Sequence, residues 1–160
     1  MGTYDTQLFV NPQAAEHRAY GEAERVVLNQ VAFAEAKAEI TGWPGYEPTP
    51  LIELEGLAGE CGVGGLWCKY EGTRFGIGSF KPTGPTYALL GVLKKEVAKA
   101  IGKEVSSADL VEGNYTEITK DMVMAAATSG NHGRAMAWGA GMFGCRAVLY
   151  MNDRVSTGRE

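Results

Sequence analysis

The chain has 160 residues, enough for one domain or for a piece of a larger one. Hydrophobic residues make up 45% and charged residues 21%, an ordinary globular balance, while glycine, at 22 residues, is about twice its usual share without the period of collagen. The net charge is −4, no Lys/Arg run exceeds Lys94-Lys95, and the longest hydrophobic run, 122–127, is too short for a bilayer, so neither a nucleic-acid nor a membrane partner is expected.

Asn11-Pro12 offers a helix N-cap and a first-turn proline, and the Ala-, Glu-, Arg- and Lys-rich stretch 13–40 is expected to be helical with an interruption near Gly21. Gly42, Pro44, Gly45, Pro48 and Pro50 break it into a loop. A short helix is expected over 51–58 and a strand over 65–70, then a glycine-rich segment, 72–84. From Pro85 the pattern is helical: Leu90, Leu93, Val97 and Ile101 are spaced three, four and four, and Gly102 closes the helix. Residues 103–121 are polar and read as a connection. Residues 122–127 have the length and apolarity of a buried strand, 128–133 form a turn, 134–143 can be helical and 146–151 are a second strand. Together they make a βαβ unit. The sequence stops nine residues later, where an α/β sheet would be expected to continue.

The N-terminus lacks the basic start and apolar stretch of a secretory signal. Cys61, Cys68 and Cys145 are odd in number and match no zinc spacing, so reduced, buried thiols in a cytoplasmic chain are expected, with no metal.

Two segments carry chemistry. In the first, from Arg74 to Gly84, Lys81 sits among glycines and between Phe80 and Pro82, after a strand and before a helix. Glycines let the backbone approach a planar molecule closely, and apolar surroundings favour a neutral amine that can attack a carbonyl. From composition alone a solvated loop lysine fits at least as well. The segment is not a P-loop, and Gly76-x-Gly78 lacks the third glycine of the dinucleotide fingerprint. The second segment is Thr128-Ser129-Gly130-Asn131-His132-Gly133, between a strand and a helix. Its hydroxyls, amide and backbone N–H groups suit a carboxylate or phosphate. A plain N-cap by Ser129 or Asn131 fits equally.

In this order the two segments are more specific than either alone. Ser79-Phe80-Lys81 followed by Thr128-Ser129-Gly130-Asn131-His132-Gly133 resembles the fold type II pyridoxal-phosphate enzymes, the tryptophan synthase β-like superfamily. The likeness extends to the diaminopropionate ammonia-lyase branch through Gly45-Tyr46-Glu47-Pro48-Thr49-Pro50-Leu51, Arg74-Phe75-Gly76 and Gly130-Asn131-His132-Gly133-Arg134. Ala137-Trp138-Gly139-Ala140 and Phe143-Gly144-Cys145 match as well.

The resemblance implies an α/β chain holding the N-terminal portion of that fold. Residues 1–118 would belong to the large cofactor-binding domain, and 119–160 would begin the small domain. It implies pyridoxal 5′-phosphate as cofactor and a small amino acid as substrate. Lys81 would be the catalytic lysine, joined to the cofactor aldehyde and then freed to remove the Cα proton. Asn131 would bond the ring hydroxyl and Phe80 would pack near the ring. Thr128, Ser129, Gly130 and His132 would hold the substrate carboxylate. The reaction implied is β-elimination, giving pyruvate and two ammonia from 2,3-diaminopropionate.

One position departs from the branch, which usually carries an aspartate, the base for the D-isomer, where this chain has Ser129. A hydroxyl is no base near neutrality, so a preference for L-substrates is expected. Serine there is also common in serine/threonine dehydratases, which keeps a dehydratase acting on serine-, threonine- or hydroxyaspartate-type substrates as an alternative. Family members are commonly more than twice as long. The glycine-rich phosphate cup and the partner of the pyridine nitrogen are absent from these 160 residues. A homodimer, or a second chain supplying the C-terminal half, is therefore expected; the remaining alternative is an inactive fragment or interaction piece.

Overall fold

The computed structural model describes residues 7, 9–12, 19–128 and 130–153. They fall into two compact units, 1–34 and 35–160.

In the first unit, α1 runs from Glu22 to Val27. Residues 19–21 are non-helical, as the expected interruption near Gly21 requires, and the Gly21 N–H donates to Glu24 Oε2 at 2.9 Å where α1 begins. A second break falls at Leu28 and Asn29, where Asn29 Oδ1 accepts from the Ala32 N–H at 2.9 Å and caps α2, Gln30–Thr41. Residues 13–18 of the expected helix lie outside the described residues.

The second unit is organised on α4, Thr83–Ile101, which begins two residues before the expected Pro85 and closes on Gly102 at φ 73°. Its heptad-like face delivers Leu89, Leu90, Leu93 and Val97 to a core shared with Trp43, Leu110, Ala140 and Phe143. Upstream, β1 (Leu51–Glu53) and β2 (Trp67–Lys69) pair antiparallel, Ile52 opposite Cys68. The helix expected over 51–58 is therefore strand for its first three residues, and α3 covers Glu55–Cys61. Leu51 and Ile52 are β-formers, and their ladder with β2 outweighs local helix propensity. The expected connection 103–121 contains two short helices, α5 (Ser107–Val111) and α6 (Thr116–Thr119), and Ser106 Oγ caps the first by accepting from the Asp109 N–H at 3.1 Å. The cysteines are free, but Cys61 is exposed and Cys68 and Cys145 only half-buried, which corrects the expectation of buried thiols.

The βαβ unit is present as expected. Strands β3 (Val123–Ala127) and β4 (Arg146–Tyr150) pair parallel, Ala125 beside Val148, with α7 (Asn131–Met142) between them in sequence. Helix α7 starts three residues before the expected Arg134. Met124 and Ala147 pack against the core, whereas Val123, Ala125 and Ala127 are exposed along the other face of β3. That face is apolar where a solvated strand would be polar, the pattern of a parallel sheet covered on both sides. No helix among the described residues is long and apolar enough to cross a membrane.

Helices α4 and α7 approach closely because Gly139 has no side chain. A Cβ there would stand 2.8 Å from Thr86 Cγ2 and Oγ1. Thr86 is fully buried, and its hydroxyl donates to the Ala135 carbonyl at 3.3 Å. Gly141, two residues on, faces open space. Gly139→Ala should therefore destabilise the protein by about 1–3 kcal/mol through overpacking. Gly141→Ala should stabilise it by about 0.5–1 kcal/mol through reduced chain entropy. Chemical denaturation of both variants checks this; shifts of the same sign would contradict the packing described.

Candidate active site

The lysine segment begins where β2 ends. A 3-10 turn over Glu71–Gly76 is broken at Arg74 and Phe75, and Phe75 takes φ 48°, the left-handed region that few side chains adopt. Gly76 and Gly78 follow at φ 68° and 84°. The chain then turns through buried Ser79 and exposed Phe80 into half-buried Lys81 and α4. Thr83 ties the entry by donating from its N–H (3.3 Å) and its hydroxyl (2.9 Å) to the Phe80 carbonyl. Lys81 Nζ lies 5.0 Å from the centre of the Phe80 ring and has no carboxylate partner among the described residues. Its amine is held beside an aromatic face and is not consumed by an ion pair.

The base of this segment is held electrostatically. Arg74 is largely buried and forks onto Glu71, Nε to Oε2 and Nη2 to Oε1, both at 2.9 Å. Nη2 also donates to Thr49 Oγ1 and Nη1 to the Glu47 carbonyl, each at 3.1 Å, and the guanidinium lies 5.3 Å from the Tyr46 ring centre. Thr49 in turn donates to Glu71 Oε1, and Lys69 Nζ donates to the Thr49 carbonyl. Hydrogen bonding from Arg74 holds the Glu71 carboxyl below its ordinary range against the opposing cost of burial. The Glu71 carboxylate likewise raises the Arg74 guanidinium.

The second segment is shaped by Thr128 and Gly133. The Thr128 N–H closes the sheet by donating to the Tyr150 carbonyl at 3.0 Å. Its hydroxyl oxygen accepts from the Gly133 N–H at 3.0 Å and the Gly130 N–H at 3.4 Å, capping α7. A Cβ on Gly133 would stand 2.5 Å from Thr128 Cγ2 and 3.1 Å from Leu149 Cδ1, so the first turn closes onto the strands only with glycine there. Asn131 and His132 stand exposed on that first turn, and Gly130 is half-buried before it. Ser129 lies outside the described residues.

Packing brings the two segments to one end of the unit. Thr86, in the first turn of α4, meets Ala135 and Gly139 of α7, while Arg134 Nη1 would lie 3.9 Å from a Cβ on Gly78. The Phe75 ring sits between Trp43, Tyr46 and Trp138, with Trp138 nearest at 4.7 Å between centroids. A groove of about 890 Å³, lined by Trp43, Tyr87, Leu90, Lys94 and neighbours, contains none of the residues of either segment. No group of three or more potential metal ligands occurs among the described residues. Glu71, Thr49 and Thr86 were not reached by sequence reasoning; the three-residue spacing of Glu71 and Arg74 was the only local signal for the first.

The family profile described as pyridoxal-phosphate dependent enzyme matches residues 42–160, which include both segments. The chain belongs to that family. Fold type II and its α/β architecture follow, with pyridoxal phosphate as the family's cofactor. Among curated relatives, the diaminopropionate ammonia-lyase of Salmonella typhimurium is 39% identical over 111 residues, covering 68% of this chain and 26% of its own length. The Escherichia coli K12 enzyme is 39% identical over 107 residues, again with 26% of its length covered. Two crystal structures of the Escherichia coli enzyme are also similar. The holo form has a TM-score of 0.68 and 33% identity over 81% of this chain and 32% of that one. The complex with D-serine has a TM-score of 0.70 and 32% identity over 83% and 33%. The chain thus spans about a quarter of the length of these curated relatives, within their N-terminal part.

The Glu71 shift has a pH consequence. A carboxyl depressed in the folded state adds stability above its ordinary value of 4.5 and loses it as pH falls through the folded value. Melting temperature measured from neutrality downward should show an acid loss below 4.5 that is smaller in Glu71→Gln. Identical acid profiles for the two proteins would contradict the coupling to Arg74.

Proposed function

We propose that the chain carries the lysine and substrate-loop half of a pyridoxal-phosphate-dependent ammonia-lyase that eliminates ammonia from 2,3-diaminopropionate, yielding pyruvate and two ammonia. One observation carries this reading. A lysine amine with no ion-pair partner among the described residues lies at the same end of a helix pair as the start of α7, in a chain 39% identical to diaminopropionate ammonia-lyases over the matched residues. The donor set fits the cofactor: an amine beside an aromatic ring, and an exposed Asn131 amide on the first turn of α7.

When bound, pyridoxal phosphate supplies an aldehyde for an amine and a ring that withdraws electrons from the substrate Cα. Lys81 would take the Cα proton on Nζ, Phe80 would pack near the ring, and Asn131 would hydrogen-bond the ring hydroxyl. Thr128, Ser129, Gly130 and His132 hold the substrate carboxylate. The Thr128 oxygen already accepts two N–H groups, so its own proton remains to be donated to an anion. Residues 1–118 act as part of the large domain and 119–160 as the start of the small one. The protein works in the cytoplasm as a homodimer or is completed by a second chain carrying the C-terminal half. The apolar outer face of β3 supports such completion, since it calls for a further covering layer.

Borohydride reduction after addition of pyridoxal phosphate, followed by peptide mapping, should place the adduct on Lys81, and Lys81→Ala should abolish it. Labelling spread evenly over the lysines would refute the assignment. For the active protein, two ammonia per pyruvate are expected from diaminopropionate. Ser129 favours one second reading, a serine/threonine-type dehydratase, for which serine would give one ammonia per pyruvate. Because a hydroxyl replaces a carboxylate base, the L-enantiomer should be turned over at least about a hundredfold faster than the D-enantiomer, the usual scale of a lost general base. Comparable rates on both would show that Ser129 does not set stereochemistry.

A further inference from the structure

Between Arg74 and Lys81 the backbone has little order of its own. Phe75, Gly76 and Gly78 all take positive φ, and two of these are glycines, the residues with most conformational freedom to lose. Phe75 has no such freedom, and its left-handed conformation costs energy that surrounding contacts must offset. Those contacts lie on both sides of one peptide. Its ring is held by Trp43, Tyr46 and Trp138. Immediately before it, Arg74 spends Nε, Nη1 and Nη2 on Glu71, Thr49 and the Glu47 carbonyl.

A largely buried ion pair is a poor source of stability, because desolvation offsets most of its attraction. What a planar guanidinium fork provides is a fixed direction, which an ammonium on a flexible stem does not. We infer that Arg74 is a positioning residue for Lys81. By pinning the 71–75 turn to the 47–49 segment, it sets where the 76–81 loop delivers the lysine amine at the start of α4. This inference rests on the proposed role of Lys81. It makes Glu71 and Thr49 parts of the same device: Glu71 orients the guanidinium, and Thr49 bridges the two, donating to Glu71 and accepting from Arg74.

The test uses the whole chain with pyridoxal phosphate and borohydride, reading the rate of adduct formation at Lys81 against exposed Lys99 of α4. Wild type should favour Lys81. Arg74→Lys, which keeps the charge and loses the fork, should slow labelling of Lys81 about tenfold with Lys99 unchanged, as expected when a reactive group is displaced by a fraction of an ångström. Thr49→Val, which leaves the Arg74–Glu71 pair intact, should give a smaller loss in the same direction. In Arg74→Ala, added ethylguanidinium should restore part of the Lys81 rate, a rescue that general destabilisation would not give. Lys81 rates within twofold of wild type in folded Arg74→Lys and Thr49→Val would overturn the inference while leaving the role of Lys81 intact. A wild type with no preference for Lys81 over Lys99 would overturn both.

Discussion

The close crossing of α4 and α7 at Thr86 and Gly139 is the constraint on which the rest of the second unit depends. Without a Cβ on Gly139, α7 settles against the buried Thr86 side chain, and the Thr86 hydroxyl reaches the Ala135 carbonyl. The core then fills on one side of this crossing with Leu89, Leu93, Val97, Ala140 and Phe143. On the other side lie the starts of both helices, which are the places where a chain exposes unpaired N–H groups and where loops of special geometry meet regular structure. Placing two helix starts side by side brings together the lysine loop and the first turn of α7, which are far apart in sequence.

Stability and chemistry are divided between different kinds of interaction here. The core is apolar and tolerates no polar atom without a partner; no buried side-chain N or O among the described residues lacks a hydrogen bond. The loops are held by polar and aromatic contacts of specific direction: the Arg74 fork, the Phe75 ring cluster and the Thr128 cap. Burial of apolar area is indifferent to small displacements, whereas a hydrogen-bonded fork or a helix cap is not. Directional contacts therefore concentrate around the lysine loop and around Thr128 and Gly133, where the backbone leaves regular structure.

The exposed apolar residues fit the same scheme. Val123, Ala125 and Ala127 line one face of a two-stranded parallel sheet, and Leu51, Ile52 and Trp67 stand exposed on the β1–β2 pair. Parallel sheets normally carry cover on both faces, and relatives of the chain are about four times longer than the stretch matched here. The apolar outer face of β3 thus has the pattern of a parallel sheet covered on both sides, whereas α5 begins at the polar Ser106 cap.

By itself the sequence determined the βαβ tail, the helix with Leu90, Leu93 and Val97 on its buried face, and the two segments that carry the family likeness. These are local properties: periodicity, glycine at left-handed positions, and residue types adjacent in the chain. It misplaced what depends on partners far away in sequence. Leu51 and Ile52 looked helical until paired with Lys69 and Cys68, and nothing local showed that the Thr128 oxygen accepts from the Gly133 N–H. In the Thr49–Glu71–Arg74 cluster, Thr49 lies more than twenty positions from its partners, and only the three-residue spacing of Glu71 and Arg74 is a local signal. Only the tertiary structure could decide that Lys81 and the 128–133 turn share one end of a helix pair, because that depends on how closely two helices approach, and the approach is set by the space that Gly139 leaves for Thr86.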